Sequence, residues 1–222
     1  MMIFTKTGNS KPLSSSSNGF TIIELLIATT VFSLVLLLCS AGLIHVGRTY
    51  NKGLTTARTQ EAARSIIDEI SRSIQFSGGT IATTPTQRSD GTPYVFCIGS
   101  QRYTVVTDRQ LKDQLSGATQ FGNVLVTDAF AGCSAGSPAL PLTSSSFSIA
   151  SVPGARELLS PNMRIARLEV NSIGSDLYRI IIRVVHGDDD LLDPAHDNCL
   201  NVKAGTQFCA VSELSTVVQK RL

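Results

Sequence analysis

Apolar residues are distributed in two different ways along this chain. From residue 22 to 46 they run almost unbroken, as IIELLIATTVFSLVLLLCSAGLIHV, a stretch of 25 residues. As a helix this is about 37 Å long, and a bilayer core needs about 20 residues. The stretch therefore predicts a membrane-spanning helix, longer than the apolar core of about 7–15 residues in a cleavable secretory signal. Beyond it the pattern becomes amphipathic. Ala63, Ile67, Ile70 and Ile74 fall on one stripe with Ala62 and Ile66 beside it, while Arg64, Asp68 and Arg72 form an i, i+4 series on another face. Gly78 and Gly79 end the pattern, so one helix is predicted over 20–76. Gly42, Gly47 and Gly53 weaken its middle by about 1 kcal/mol each relative to Ala. Two readings account for them: small-residue packing in lipid, and local melting when the helix leaves the membrane.

Residues 80–92 are rich in Thr, Pro and Ser and read as a loop. Short runs of period two follow, predicting strands at 94–98, 102–106, 124–127, 147–152, 164–170 and 177–185. The last two are joined by Ser172-Ile173-Gly174-Ser175 as a hairpin, and Tyr178, Ile180, Ile182 and Val184 alternate with Arg179, Ile181 and Arg183. Residues 111–115 read as one helical turn and 132–146 as a long loop of small residues. No internal repeat is visible. The expected fold is α+β, a long N-terminal helix packed on an antiparallel β-sheet.

Composition narrows the function. Of 222 residues, 42% are hydrophobic and 16% charged, too apolar for a disordered chain. A net charge of +2 excludes binding to nucleic acid by bulk electrostatics, and 6% aromatics with no Trp disfavours a base-stacking platform. Charge alone leans toward a cytoplasmic C-terminus, with Lys6 and Lys11 before the apolar block and Arg48, Lys52, Arg58 and Arg64 after it. The cysteines argue for the opposite orientation. Glu24 needs a reason, because a carboxylate at mid-membrane costs at least ~2.5 kcal/mol. Near the end of the span it can snorkel to the interface at less cost.

Gly19-Phe20-Thr21-Ile22-Ile23-Glu24-Leu25, followed by the apolar run, resembles the class III signal of type IV pilins and type II secretion pseudopilins. The resemblance implies that a prepilin peptidase cuts after Gly19 and that Phe20 becomes the N-methylated terminus. It further implies that Glu24 pairs with the terminal amine of a neighbouring subunit during filament assembly. The chain departs from the family pattern at Asn18, where Lys or Arg is usual, and in a long leader with Ser14 to Ser17. A cut after Gly19 removes Lys6 and Lys11 and leaves 17 basic and 17 acidic side chains. The expected division is a leader at 1–19, a transmembrane or filament-core helix at 20–47, an amphipathic half at 48–79 and a β-rich head at 80–222. Within the family, the helix end around Arg64, Asp68 and Arg72 and the chain size are most like W-type minor pilins and J-type pseudopilins. The resemblance points to a non-enzymatic minor pilin, and to a type II secretion pseudopilin as the alternative. Implied partners are the peptidase, other pilin or pseudopilin subunits, the pilus assembly machinery and, before assembly, membrane lipid; nucleic acid stays open. The implied location is the cytoplasmic membrane with the head outside the cytoplasm, then a filament.

Cys39 lies in the apolar block and reads as a small apolar residue. Cys97, Cys133, Cys199 and Cys209 allow three pairings and form no C-x-x-C. With the class III signal they read as disulfides rather than metal ligands. The expected pairs are Cys97–Cys133 and Cys199–Cys209, since Gly205 lets the short second loop close and pilins commonly close a C-terminal loop this way. Pairing early with late cysteines stays open, because an antiparallel sheet permits it. Gly132-Cys133-Ser134-Ala135-Gly136 matches G-x-S-x-G, with His186 and His196 downstream, but Pro138 and Pro141 stand where a hydrolase needs a helix. A single-pass membrane-anchored envelope enzyme or binding protein, the enzyme dependent on Ser134, is the reading from another class. The run from His186 to Asp193 is acidic enough to suggest Ca²⁺ but lacks EF-hand spacing; a solvated turn with an Asp cap explains it. No metal or cofactor is expected, including zinc at His186, His196, Cys199 and Cys209. Arg167, Arg179 and Arg183 with Glu169 read as a solvated sheet face, a partner surface being the second option.

Overall fold

The computed structural model describes residues 19–83, 92–109, 124–142, 144, 147–160, 162–200 and 204–221. Helix α1 covers Ile22–Phe76. Contacts divide the chain into two units, Met1–Val46 and Gly47–Leu222. In the first unit, residues 22–46 are helix with Leu, Ile, Val and Phe exposed around its whole circumference. It is long and apolar enough to cross a membrane.

The second unit is α+β: the amphipathic part of α1 lies against antiparallel sheet. Thr55, Thr59, Ala62, Ala63, Ile66, Ile67, Ile70 and Ile74 are its buried residues. Their spacing of three and four keeps them on one side of the helix. They share a core with Tyr94, Phe96, Tyr103 and Leu125 of one sheet and Ile165, Leu168, Ile180 and Ile182 of another. The first sheet has five strands in sequence order, β1 (Ile81–Ala82), β2 (Tyr94–Ile98), β3 (Gln101–Val105), β4 (Leu125–Ala129) and β5 (Arg156–Glu157). The second has β6 (Met163–Ser172), β7 (Leu177–His186) and β8 (Ala210–Gln219). Ile165 O, accepting the Asp108 N–H at 3.0 Å, and Leu168 O, accepting the Tyr94 hydroxyl at 3.0 Å, join them.

The expected sheet is thus two sheets, and two local expectations change. Residues 147–152 are not a strand: a 3₁₀ turn occupies Ile149–Ser151, and the Ser151 hydroxyl donates to Ser148 O at 2.6 Å. Pro153, which has no N–H for a ladder, follows at once. Phe147, Ile149, Val152 and Ala155 instead cover Val106, Val126, Leu140 and Leu142 on the other side of the five-stranded sheet. Strand β8 had no sequence expectation, because AVSELSTVVQ mixes Ser and Thr into both faces. The first helical residue is Ile22 rather than Phe20, and residues 111–115 lie outside the described residues.

Gly79 closes the turn after α1 against the β2–β3 turn: a Cβ there would stand 2.8 Å from Gly99 Cα, so no side chain fits. At the far end of the sheet, the Glu157 carboxylate accepts N–H bonds from Val124 (2.8 Å), Leu125 (2.9 Å) and Leu159 (3.1 Å). Burial pushes this carboxyl up to about 7 against the opposing pull of those bonds.

Candidate processing and assembly site

Gly19 and Phe20 stand exposed ahead of α1, and Phe20 is 88% exposed. A Cβ at Gly19 would meet nothing within 4 Å, so this chain's own packing does not demand glycine there. Two residues on, the helix opens with a reciprocal cap. The Glu24 N–H donates to Thr21 Oγ1 at 3.3 Å, and Glu24 Oε2 accepts the Thr21 N–H at 2.9 Å and the Thr21 hydroxyl at 2.8 Å. This is a capping box, with Thr21 as N-cap and Glu24 three residues later, and it satisfies two backbone N–H groups that a helix start leaves unpaired. The sequence signal for it is T-x-x-E directly before an apolar run, at Thr21 and Glu24. Glu24 therefore also has a task inside its own chain. In lipid, where no water solvates a bare N–H, that task gains weight.

The four cysteines belong to the second unit. The structure joins Cys97 to Cys133 and Cys199 to Cys209, with Cα–Cα distances of 5.6 and 5.8 Å, and leaves Cys39 free. Cys97 is in β2 and Cys133 in the loop after β4, so the first bridge pins that loop to the sheet. A side-chain constellation that sequence reasoning missed does the same beside it. Arg102 and Asp128 are cross-strand partners in β3 and β4, and their buried side chains meet twice, Nε–Oδ1 at 3.0 Å and Nη2–Oδ2 at 2.7 Å. Arg102 Nη1 also donates to Pro138 O at 2.8 Å, and its guanidinium lies 4.3 Å from the centre of the Phe130 ring. Only strand register reveals this pairing, because 26 residues separate the two in sequence.

The second bridge closes a loop that begins beside Leu192, which pairs with Cys199, and re-enters the sheet at Ala210. Gly205 in that loop has φ 98°, a left-handed value that glycine adopts without penalty. The Lys52 ammonium, on α1, donates to the carbonyls of Thr206 and Cys209 and so ties the loop to the helix.

The other constellations resolve structurally. Ser134 sits in a turn, its N–H bonded to Ser137 Oγ at 2.9 Å, with no helix after it. His186 Nδ1 contacts Phe208 O at 3.0 Å and His196 Nδ1 contacts Asp108 Oδ1 at 2.6 Å, so neither Nδ1 is engaged with Ser134. In the acidic run, Asp189 pairs with buried Arg164, whose Nη1 lies 3.6 Å from Asp108. Asp193 Oδ1 accepts the N–H groups of Asp197 and Asn198 at 2.8 and 3.2 Å, and Asp188, at the start of the 3₁₀ turn Asp189–Leu191, makes no side-chain cap. Asp108, Asn162 and His196 all have left-handed φ values, 59°, 61° and 53°, so the chain accepts local strain around Arg164. Among the described residues no group of three or more His, Cys, Asp or Glu is placed to hold a metal ion. On the three-stranded sheet Arg167 stands opposite Arg183, but each has its own acid, Glu169 at 2.8 Å and Glu213 at 2.6 Å.

Residues 14–40 match the family model described as the prokaryotic N-terminal methylation motif. No curated protein and no solved structure gives a significant match. The motif covers Gly19, Phe20, Glu24 and most of the apolar helix, and supports a pilin-like protein of the kind processed by prepilin peptidase.

Proposed function

We propose that this chain is a minor pilin-like structural subunit of a type IV pilus. It is inserted in the cytoplasmic membrane by its apolar helix, cut after Gly19, methylated at Phe20 and then drawn into a filament or its priming complex. The observation that carries the reading is the coincidence of the methylation motif at residues 14–40 with an apolar helix that, among the described residues, stays exposed from Ile22 to Val46. Such a helix needs an apolar surround, first lipid and then the helices of neighbouring subunits. In the assembled core, Glu24 neutralises the Phe20 amine of a neighbour where water is excluded. The disulfide-braced head supports an oxidising side of the membrane for residues 80–222. The size, 203 residues after a cut at Gly19, favours a minor subunit.

Intact mass of the membrane-extracted protein tests the reading. The expected species begins at Phe20 and carries one added methyl group, and Gly19→Val leaves the full precursor in the membrane. A wild-type protein that keeps residues 1–19, or a Gly19→Val protein that enters filaments normally, overturns it.

A further inference from the structure

Beyond the exposed Arg58, α1 in the second unit carries four further exposed charges of alternating sign, Glu61, Arg64, Asp68 and Arg72. At 100° per residue they fall within about 80° of one another and opposite the buried stripe. They line an open groove of about 620 Å³ together with Gln60 and Ser65. Their spacing of three or four would allow ion pairs along the helix, yet among the described residues none of the four makes one. The neighbouring Glu69 is different, because Arg156 of the head engages it. The head thus uses the acid at the flank and leaves the ladder to something else.

The order minus, plus, minus, plus is complementary to itself. We infer that the ladder docks the same ladder of a second copy of this chain, parallel and displaced along the helix by one charge. The inference rests on the filament-subunit reading for its orientation: copies inserted by the same N-terminal segment run parallel. A slide of three or four residues, about 5 Å, sets Arg64 of one copy beside Glu61 of the other, Asp68 beside Arg64 and Arg72 beside Asp68. Without a slide every charge would face its like, so the ladder fixes the axial register as well as the partner. Each such pair is weak when exposed, and three in series in a shared groove give a register-selective, salt-sensitive contact.

The test uses the full chain in its membrane, with Cys39→Ala to remove the free thiol and two co-expressed copies as reporters, one carrying Ala57→Cys and the other Gln60→Cys, groove residues that a slide of three or four residues brings level. The readout is the yield of disulfide-linked dimer after mild oxidation. The alternating ladder is expected to give dimer that declines as salt is raised. Arg64→Glu with Arg72→Glu makes all four charges negative and should lower the yield about tenfold. Adding Glu61→Arg and Asp68→Arg inverts every sign, restores self-complementarity and should restore the dimer. Retention of both head disulfides shows that each variant is folded. If the single-sign variant links as well as the parent, or the inverted one does not recover, the second copy is not the occupant. Intact mass on the same samples reads the cut after Gly19 separately, so failure of the ladder and failure of the pilin reading are distinguishable.

Discussion

The two parts of α1 share one secondary structure and differ in what makes it hold. From Ile22 to Val46 the side chains are apolar on every side and none is buried, whereas between Thr55 and Ile74 eight are buried on one side. The first part is helical because its backbone satisfies itself, as any segment in lipid must, and its side chains await a surround. The second is helical because one face belongs to a core already built. Burial within the chain marks what the subunit holds alone; its absence in so apolar a segment marks what the environment must supply.

That contrast can be broken most sharply by truncation. Ile70, fully buried, should cost the head about 2–5 kcal/mol as Ile70→Ala, read as a lowered denaturation midpoint. Leu36→Ala, in the apolar part, should leave the same midpoint unchanged. A destabilised head in Leu36→Ala would show that the first part does have a partner in its own chain.

The disulfides sharpen it from the other side, since they brace only the second unit. Replacing both Cys97 and Cys133 by Ala should cost about 4 kcal/mol, and replacing Cys199 and Cys209 about 3, in the chain-entropy model. Peptide mapping without reductant should recover Cys97 linked to Cys133 and Cys199 linked to Cys209. A peptide joining either early cysteine to either late one contradicts the pairing in the structure.

The smallest effect separates the two tasks of Glu24. Glu24→Ala removes the carboxylate's half of the cap and the charge, and Glu24→Gln keeps an acceptor for the Thr21 N–H while removing the charge. The cap is worth about 1 kcal/mol at the helix start. Filament incorporation should fall in both variants if the charge between subunits dominates, with cleavage after Gly19 intact. If Glu24→Gln assembles like wild type and Glu24→Ala does not, the cap is the role that matters.

Much of this could be read from the chain. The helix, its change from all-round apolar to amphipathic near residue 47, and the hairpin of β6 and β7 follow from periods of 3.6 and 2 and from turn residues. Strand β8 was missed because Ser212, Ser215 and Thr216 blur its alternation, and its place comes from pairing with β7 residue by residue. Residues 147–152 are apolar enough for a strand, but Pro153, with no N–H for a ladder, follows them and a 3₁₀ turn forms at Ile149–Ser151 instead. At Glu24 the capping signal was in view, but a carboxylate in an apolar run drew the reading to intermolecular charge.

The sequence by itself determined the local matters: where the chain can lie in lipid, where the methylation motif falls, and which helix face seeks a core. These depend on neighbours within a turn or two, and composition and spacing carry them. Tertiary structure alone decided the two-sheet division, the Arg102–Asp128 pair, the strain around Arg164 and, among the described residues, the absence of ion pairs at Glu61, Arg64, Asp68 and Arg72. Each of those joins residues far apart in the chain or depends on what else is nearby in space. Spacing makes an ion pair available, and only the packed fold settles whether another group takes the charge or leaves it for a partner.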